Sequence, residues 1–519
     1  MSIQFSAIPK SLLSEPISRF LNRELEHLYP GFSNQELIGL TQEIAEDWNE
    51  IKRANLVDLL KDQHASLTLT QKQQDNLLAL SGNDSFTLIT GQQIHPFLGP
   101  AFVWAKVQTT ILRAKALSDE LQKKIVPVFW MASEDHDFEE ISKIPFLGKE
   151  YIWSAEIGGP VGDLDTKGIA EILETMKVDF QNDARVLEFL NRFEGIYGAG
   201  ISLSVATRLL VHRVFGEDGL LIVDPKDTRW KSQTKDIWLR ELTTEPYEAL
   251  TVQAERMKDS GLKIPITPRQ TSMFYYGNNS RLRIDRVEEG SFQTSDAAFT
   301  WSQQDLEAEI KEHPEKFSAN ALLRPAYQQR ILPNIMYIGG PAECIYWLQI
   351  PELIKTHKGA VPALELRTMM AFVPENTVKK IKDFQWDLSE WFQAEELLLK
   401  AYIEKEQGEL ALSHQIELLQ TQYEFIRETL YKIKHPELKQ IKKHQDEGIR
   451  MLKKAYNEFI DGGLESHLKP KINQIKQLKS TVFNEVAPLE RKQFWMEWEF
   501  KRNGLPQLAK LEGPFLWIL

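Results

Sequence analysis

The sequence predicts an α/β fold: a mostly parallel sheet carrying two insertions, followed by an α-helical coiled-coil domain. Three observations predict it. Short apolar runs at 86–89, 125–131, 219–223 and 334–338 each end in a glycine-rich or charged loop, as strands buried on both faces do. Tracts with apolar residues at helical spacing lie between them, and strands alternating with helices imply parallel neighbours joined by right-handed crossovers. Beyond residue 373 the pattern changes. Leu412, Ile416, Leu419, Tyr423, Ile426, Leu430 and Ile433 are spaced alternately four and three, an a/d heptad stripe.

Taken in order, residues 1–85 read as helices packing on the core. Ser33 with Glu36 three residues later is a helix start, and Leu37, Leu40, Ile44 and Trp48 follow at helical spacing. A further helix is expected from Thr70 to Ala79. The core runs over 86–372. Phe86–Ile89 reads as its first strand, broken by Thr90-Gly91-Gln92-Gln93. Pro100 suits the first turn of the next helix, where no N–H is needed. Ile125–Met131 is a second strand ending in Ser133-Glu134-Asp135-His136-Asp137. Insertions are expected near 146–200 and near 260–320, the second rich in β-structure. A helix over 201–215 leads to the third strand, which stops at Asp224-Pro225. The fourth strand stops at Gly339-Gly340-Pro341, and Ala342–Ile350 continues as a helix. In the helical domain, 373–484, His435-Pro436 breaks the first stripe. A second stripe runs from Leu438 to Phe459 until Gly462-Gly463, and the short link makes the two helices antiparallel neighbours. Residues 485–519, with Trp495, Trp498 and Trp517, are expected to fold back on the core, because an exposed tail of that composition is a liability.

Composition excludes several classes. With 62 basic and 74 acidic residues the net charge is −12, which argues against a nucleic-acid backbone binder. The single cysteine, Cys344, forbids an intramolecular disulfide and a cysteine-metal cluster, and suits a reducing compartment. No apolar run approaches the roughly 18 residues of a membrane span. The segment MSIQFSAIPKSLLSEPISRF lacks a charged region followed by a long apolar core. A cytoplasmic protein with no membrane partner is expected.

In open α/β sheets ligands sit beyond the carboxyl ends of the strands, and three polar loops fall there. Glu134, Asp135, His136 and Asp137 carry the strongest chemical signal, since crowded carboxylates beside an imidazole perturb one another's titration. In an extended strand end, Glu134 and His136 face one way and Asp135 and Asp137 the other. The bland alternative is a solvated loop in which Asp137 caps a helix starting at Phe138. No metal is expected, because adjacent residues chelate one ion poorly and no spaced partner is present. In the second loop, Gln92 and Gln93 bring paired donors and acceptors, and Gly91 admits a ligand close to the backbone. His95-Pro96-Phe97-Leu98-Gly99 partly matches the phosphate-stabilising HxGH loop of class I synthetases, and a structural role serves His95 equally. The third loop, Gly339-Gly340, can offer amides to an anion. Glu343, Tyr346 and Trp347 follow at one-turn spacing. Cys344 between them reads as a small buried residue, not a nucleophile.

ITGQQ…GP, VPVFWMASEDHDF, LRPAYQQRILPNIMYIGGPAE…YW and the heptad-bearing C-terminal part together resemble the BshC family, the cysteine-adding enzymes of bacillithiol biosynthesis. The resemblance spans nearly the whole chain, with the motifs in the family's order. It implies a Rossmann-like core with two connecting-peptide insertions, and a coiled-coil domain through which the protein forms a homodimer. It also implies addition of L-cysteine to glucosaminyl-malate through an amide bond, for which ATP is the economical activator. By motif, the pocket draws on Gln92, Gln93, Glu134, Asp135, His136, Asp137, Gly340 and Glu343. Catalytic roles are expected of Glu134, Asp135, His136 and Asp137. Substrate binding is expected of Gln92, Gln93, His95, Gly339, Gly340, Glu343 and Tyr346. The competing reading is a non-catalytic, nucleotide-binding scaffold that recruits another ligase through its coiled coil.

Overall fold

A computed structural model describes residues 4–7, 13–155, 158–288, 290–371, 375–386, 390–407, 412–458, 468–482, 489–502 and 515–518. They belong to two units, one drawn from Met1–Ala371 with Glu490–Trp517 and the other from Phe372–Leu489.

The first unit is organised on five strands: β1 (Ser85–Gln92), β2 (Lys124–Met131), β3 (Leu221–Val223), β4 (Asn334–Gly339) and β5 (Ala363–Leu366). All neighbouring pairs are parallel, in the order β5-β4-β1-β2-β3. The chain moves outward from β1 to β3, then returns to place β4 and β5 on the other side. This Rossmann-like order puts the topological switch point between the carboxyl ends of β1 and β4. Two differences from the sequence reading matter. First, β1 does not stop at Ile89: Thr90, Gly91 and Gln92 pair with Phe129, Trp130 and Met131. A Cβ at Gly91 would meet the Trp130 side chain and the Tyr337 hydroxyl at 3.4 Å, an ordinary contact distance, and Gly91 pairs with Trp130 within the strand, so it is no break. Second, β5 escaped notice. Its four residues are too short to show a period, and only pairing with Met336–Gly339 makes them a strand.

The helix Ala101–Leu121 buries Trp104, Val107, Ile111, Ala114 and Leu117. Pro100 is its N-cap, one position earlier than read from sequence. The N-terminal helices form as their caps dictate. The Ser33 amide donates to Glu36 Oε2 at 2.7 Å, and the Glu36 amide donates back to Ser33 Oγ at 3.3 Å. We expect Ser33→Ala to cost about 1 kcal/mol in urea unfolding, with Glu36→Ala adding a further loss because the residue-33 amide still donates to Glu36. Arg53, fully buried, clamps the entry to β1. Its guanidinium donates to the carbonyls of Trp48, Leu80, Asn83 and Ser85 at 3.1–3.3 Å and to Ser85 Oγ at 3.2 Å.

The first insertion holds the antiparallel pair Lys143–Phe146 and Lys149–Ile152 and the helices Lys167–Asp179 and Ala184–Asn191. The second is a five-stranded antiparallel sheet in the spatial order Thr300–Ser302, Ser291–Thr294, Ser280–Glu288, Met273–Gly277, Phe317–Ala319. Its register pairs Phe274 with Arg283 and Tyr276 with Arg281, so these four share one face. The opposite face is apolar, with Tyr275 packed on Phe299, Trp301 and Phe317. Near the C-terminus, helix Trp495–Arg502 lies on the core and first insertion. The Trp495 indole donates to the Phe97 carbonyl, Glu497 accepts from the Leu147 amide at 2.6 Å, and Arg192 pairs with Glu499 at 2.6 Å.

In the second unit, helices Leu412–Lys432 and Leu438–Glu458 form a hairpin bridged by Arg427 and Asp446 at 3.4 Å. Leu468–Val482 follows as a further helix. Ile416 of the heptad stripe is buried, whereas Ile426 and Ile433 are exposed, as are Phe425, Tyr431 and Met451 nearby. Phe459 and the Gly462-Gly463 break lie outside the described residues. Among the described residues no helix is long and apolar enough to cross a membrane.

Candidate active site

A cavity of about 360 Å³ opens where the carboxyl ends of β2 and β3 meet the second insertion. Trp130, Ala132, Glu134 and Asp135 line it from the core sheet, and Phe274, Arg281 and Arg283 from the insertion. Arg324 and Tyr327, on helix Arg324–Ile331, close a third side. Tyr327 packs edge-on to Trp130 at 5.6 Å between centroids. Its hydroxyl donates to the Pro225 carbonyl at 3.0 Å.

The acidic loop does not continue as extended strand, and this corrects the alternation read from sequence. The Asp135 amide returns to the Ala132 carbonyl at 3.2 Å, and the Val161 amide donates to the Asp135 carbonyl at 2.7 Å. This turn points Glu134 and its immediate neighbour Asp135 into the same cavity. His136 and Asp137 are exposed, as are Glu139 and Glu140 after them. The His136 ring is half exposed, with Nδ1 3.6 Å from Asp135 Oδ1. Asp137 accepts from the Glu140 amide at 3.4 Å and so caps Phe138–Ile141.

Glu134 is held on the cavity wall. Its Oε1 accepts from Lys231 Nζ at 2.5 Å and lies 3.4 Å from the Tyr276 hydroxyl. Lys231 is fully buried, and that burial pushes its ammonium below the ordinary lysine range despite the Glu134 charge. Behind it, Ser133 Oγ donates to Asp224 Oδ1 at 2.6 Å. Burial pushes the Asp224 carboxyl up.

A second cluster occupies the switch point. Lys106, fully buried on the helix Ala101–Leu121, donates to the Gly91 carbonyl at 2.5 Å and to Glu343. Gln92 Oε1 lies 3.4 Å from the same ammonium. Glu343 also accepts from the Gly340 amide at 2.7 Å and the Tyr337 hydroxyl at 2.9 Å. Burial raises the Glu343 carboxyl, but Lys106 and Arg324 outweigh it and hold it below the usual range. The Gly340 amide, expected to face an anion, is thus already engaged, because Glu343 stands at the position that reaches back over the helix start. The Gly339 carbonyl accepts from the Arg367 amide at 2.8 Å. Arg324 links the two clusters. One terminal nitrogen donates to the Tyr346 hydroxyl at 2.5 Å, while its buried Nε has no protein partner. Burial raises the Tyr346 phenol, pushed up to about 12.

The GQQ loop divides differently from expectation. Gln92 faces the switch point, whereas Gln93 Nε2 donates to the Asp137 carbonyl at 3.0 Å and ties the two loops together. His95 is buried against Gly99, where a Cβ would come within 2.7 Å of the His95 side chain. Burial pushes its imidazole down to about 4, so it is neutral at pH 7 and offers no charge to a phosphate. Cys344 is buried, and burial pushes its thiol up, away from nucleophile range.

Sequence reasoning missed the basic half of the site. Arg281 donates to Ser318 Oγ at 2.9 Å and the Ala319 carbonyl at 2.7 Å, with its guanidinium 4.0 Å over the Phe274 ring. Arg283 is committed to Asp285 at 2.7 and 2.8 Å. Arg324 stood in view within LRPAYQQ, and Lys106 within AFVWAKVQTTIL. Lys231 gave no local signal. The assembled cavity can take a molecule with carboxylates facing Arg281 and Arg324 and an amine facing Glu134 and Asp135.

Comparison with known proteins bears on that chemistry. The family described as Bacillithiol biosynthesis BshC, N-terminal Rossmann-like domain, matches residues 3–368. A Flavobacterium johnsoniae protein named "Putative cysteine ligase BshC" is 31% identical over 452 residues, 84% of each chain. The like-named protein of Cytophaga hutchinsonii is 32% identical over 374 residues, covering 71% of this chain and 70% of its own. That of Christiangramia forsetii is 28% identical over 515 residues, covering 95% and 94%.

Proposed function

Because the chain belongs to the BshC family of bacillithiol biosynthesis, we propose that it is a ligase joining the carboxyl group of L-cysteine to the amino group of glucosaminyl-malate as an amide. The observation that carries this reading is the pairing, across one cavity, of Glu134 and Asp135 with Arg281 and Arg324. The malate carboxylates suit the arginines, and the amines of both substrates suit the carboxylates. For the bond to form, the cysteine carboxyl oxygen must become a leaving group, and ATP is the proposed activator. We assign ATP no site, since the Gly340 amide is taken by Glu343 and His95 is neutral. The attacking nitrogen forms the C–N bond as the activated oxygen departs with its phosphate. Glu134, which lines the cavity, takes the nitrogen's proton.

The test is purified protein with cysteine, glucosaminyl-malate and ATP, followed by mass spectrometry of the thiol product and assay of AMP and ADP. Product with stoichiometric nucleotide cleavage is expected. No product and no cleavage would overturn the reading in favour of a scaffold. Arg324→Ala should raise KM for glucosaminyl-malate about 30-fold, the loss of one charge-assisted bond of about 2 kcal/mol, with a smaller change in kcat. An acceptor lacking the malate should be used equally by variant and parent.

The exposed Phe425, Tyr431, Ile433 and Met451 on the helical hairpin suit a second copy of this chain, giving a homodimer detectable by light scattering. The single buried thiol suits a reducing cytoplasm.

A further inference from the structure

We propose that Lys231 is a positioning residue of the ligase reaction, holding the Glu134 carboxylate against the cavity wall and aiming it at the attacking amine. The inference rests on the reading that Glu134 accepts the proton, and extends it to a residue that never meets substrate.

The geometry argues this in three steps. Lys231 does not act directly, because its ammonium is enclosed and two of its three N–H donors are taken. It donates to Glu134 Oε1 at 2.5 Å and to the Phe317 carbonyl at 2.8 Å, and lies 5.0 and 5.1 Å from the Trp238 and Tyr327 ring centres. It is fully buried, so no solvent or ligand reaches it. Next, it joins three elements that the chain brings together from far apart. These are the loop after β2, the helix Thr228–Gln233 after β3, and the insertion strand Phe317–Ala319. The direction of the Glu134 side chain is therefore set by how the second insertion seats on the core. Finally, the charges around Glu134 need it. Asp135 and Asp224 stand nearby as like charges, Arg281 is turned to Ser318 and Ala319, and Tyr276 is neutral. Lys231 is the cation in direct contact with the carboxylate.

A merely structural tie and a positioning role differ in a double-mutant cycle. Lys231→Met should lower kcat about 100-fold with KM for both substrates within about threefold, because the carboxylate loses its direction while the binding arginines stay. Lys231→Arg should not rescue, since the larger planar guanidinium in this fully buried site must displace the Trp238 or Tyr327 ring or the Phe317 backbone. Glu134→Gln/Lys231→Met should be no slower than Glu134→Gln alone, because Lys231 acts only through that carboxylate. A double variant a further 100-fold slower, or a Lys231→Met enzyme at full kcat, would overturn the proposal. If Lys231→Met does not fold, the double variant, whose facing groups are both uncharged, is compared with Glu134→Gln alone and decides by the same criterion. Full activity of Glu134→Gln would instead sink the proton-acceptor reading itself, which separates the two failures.

Discussion

Glu134→Gln is expected to reduce kcat by about 10²–10⁴-fold, while KM for cysteine and for glucosaminyl-malate stays within a few-fold. The amide keeps the shape of the carboxylate and still accepts from Lys231, so the cavity keeps its walls. It cannot accept a proton from the attacking nitrogen. In the proposed reaction activation of cysteine precedes proton transfer, so nucleotide cleavage without acceptor should persist as product formation fails. The measurement is paired: thiol product by mass spectrometry, and AMP or ADP release with cysteine alone. A variant within threefold of the parent in both would remove Glu134 from the chemistry. By contrast, Asp137→Asn should leave kcat nearly unchanged, because Asp137 caps Phe138–Ile141 on the outer surface.

Arg53→Met is expected to lower stability by about 3 kcal/mol or more in equilibrium unfolding. Removing the guanidinium leaves the buried carbonyls of Trp48, Leu80 and Ser85 short of donors, at about 1 kcal/mol or more for each, while the Asn83 carbonyl, at the exposed edge, can turn to water. A planar fork satisfies several carbonyls at once, so Arg53→Lys should recover only part of the loss. The effect should appear in the urea midpoint while kcat of the folded fraction is unchanged, since Arg53 lies at the start of β1 and the site at its far end. An unfolding midpoint equal to the parent's would show that water replaces the guanidinium.

The legible parts of this fold share one property: their signals are local. Four of the five core strands are continuous apolar runs, and the Ser33 and Thr70 helix starts carry their own caps. β5 was illegible because four residues hold no period, and the end of β1 was misplaced because glycine in a strand looks like a break. The site was half legible. Glu134 and Asp135 stood out as a crowded acidic run, yet the prediction that alternate members act together failed. It assumed strand geometry, whereas a turn at Ala132–Asp135 points neighbours the same way. Asp137 took the bland role weighed against it from the start.

Sequence by itself determined the family, the parallel α/β core and the heptad-patterned helical segment, because each rests on residues close in the chain. Tertiary structure decided the chemistry of the cavity. Lys231 is 97 residues from Glu134, and Lys106 is 237 from Glu343. No local pattern marks a lysine as the partner of a distant carboxylate. Only the crossover order of the sheet and the seating of the second insertion bring these charges into contact. Burial then strips away the water that would otherwise solvate each of them separately, which makes the pairing obligatory.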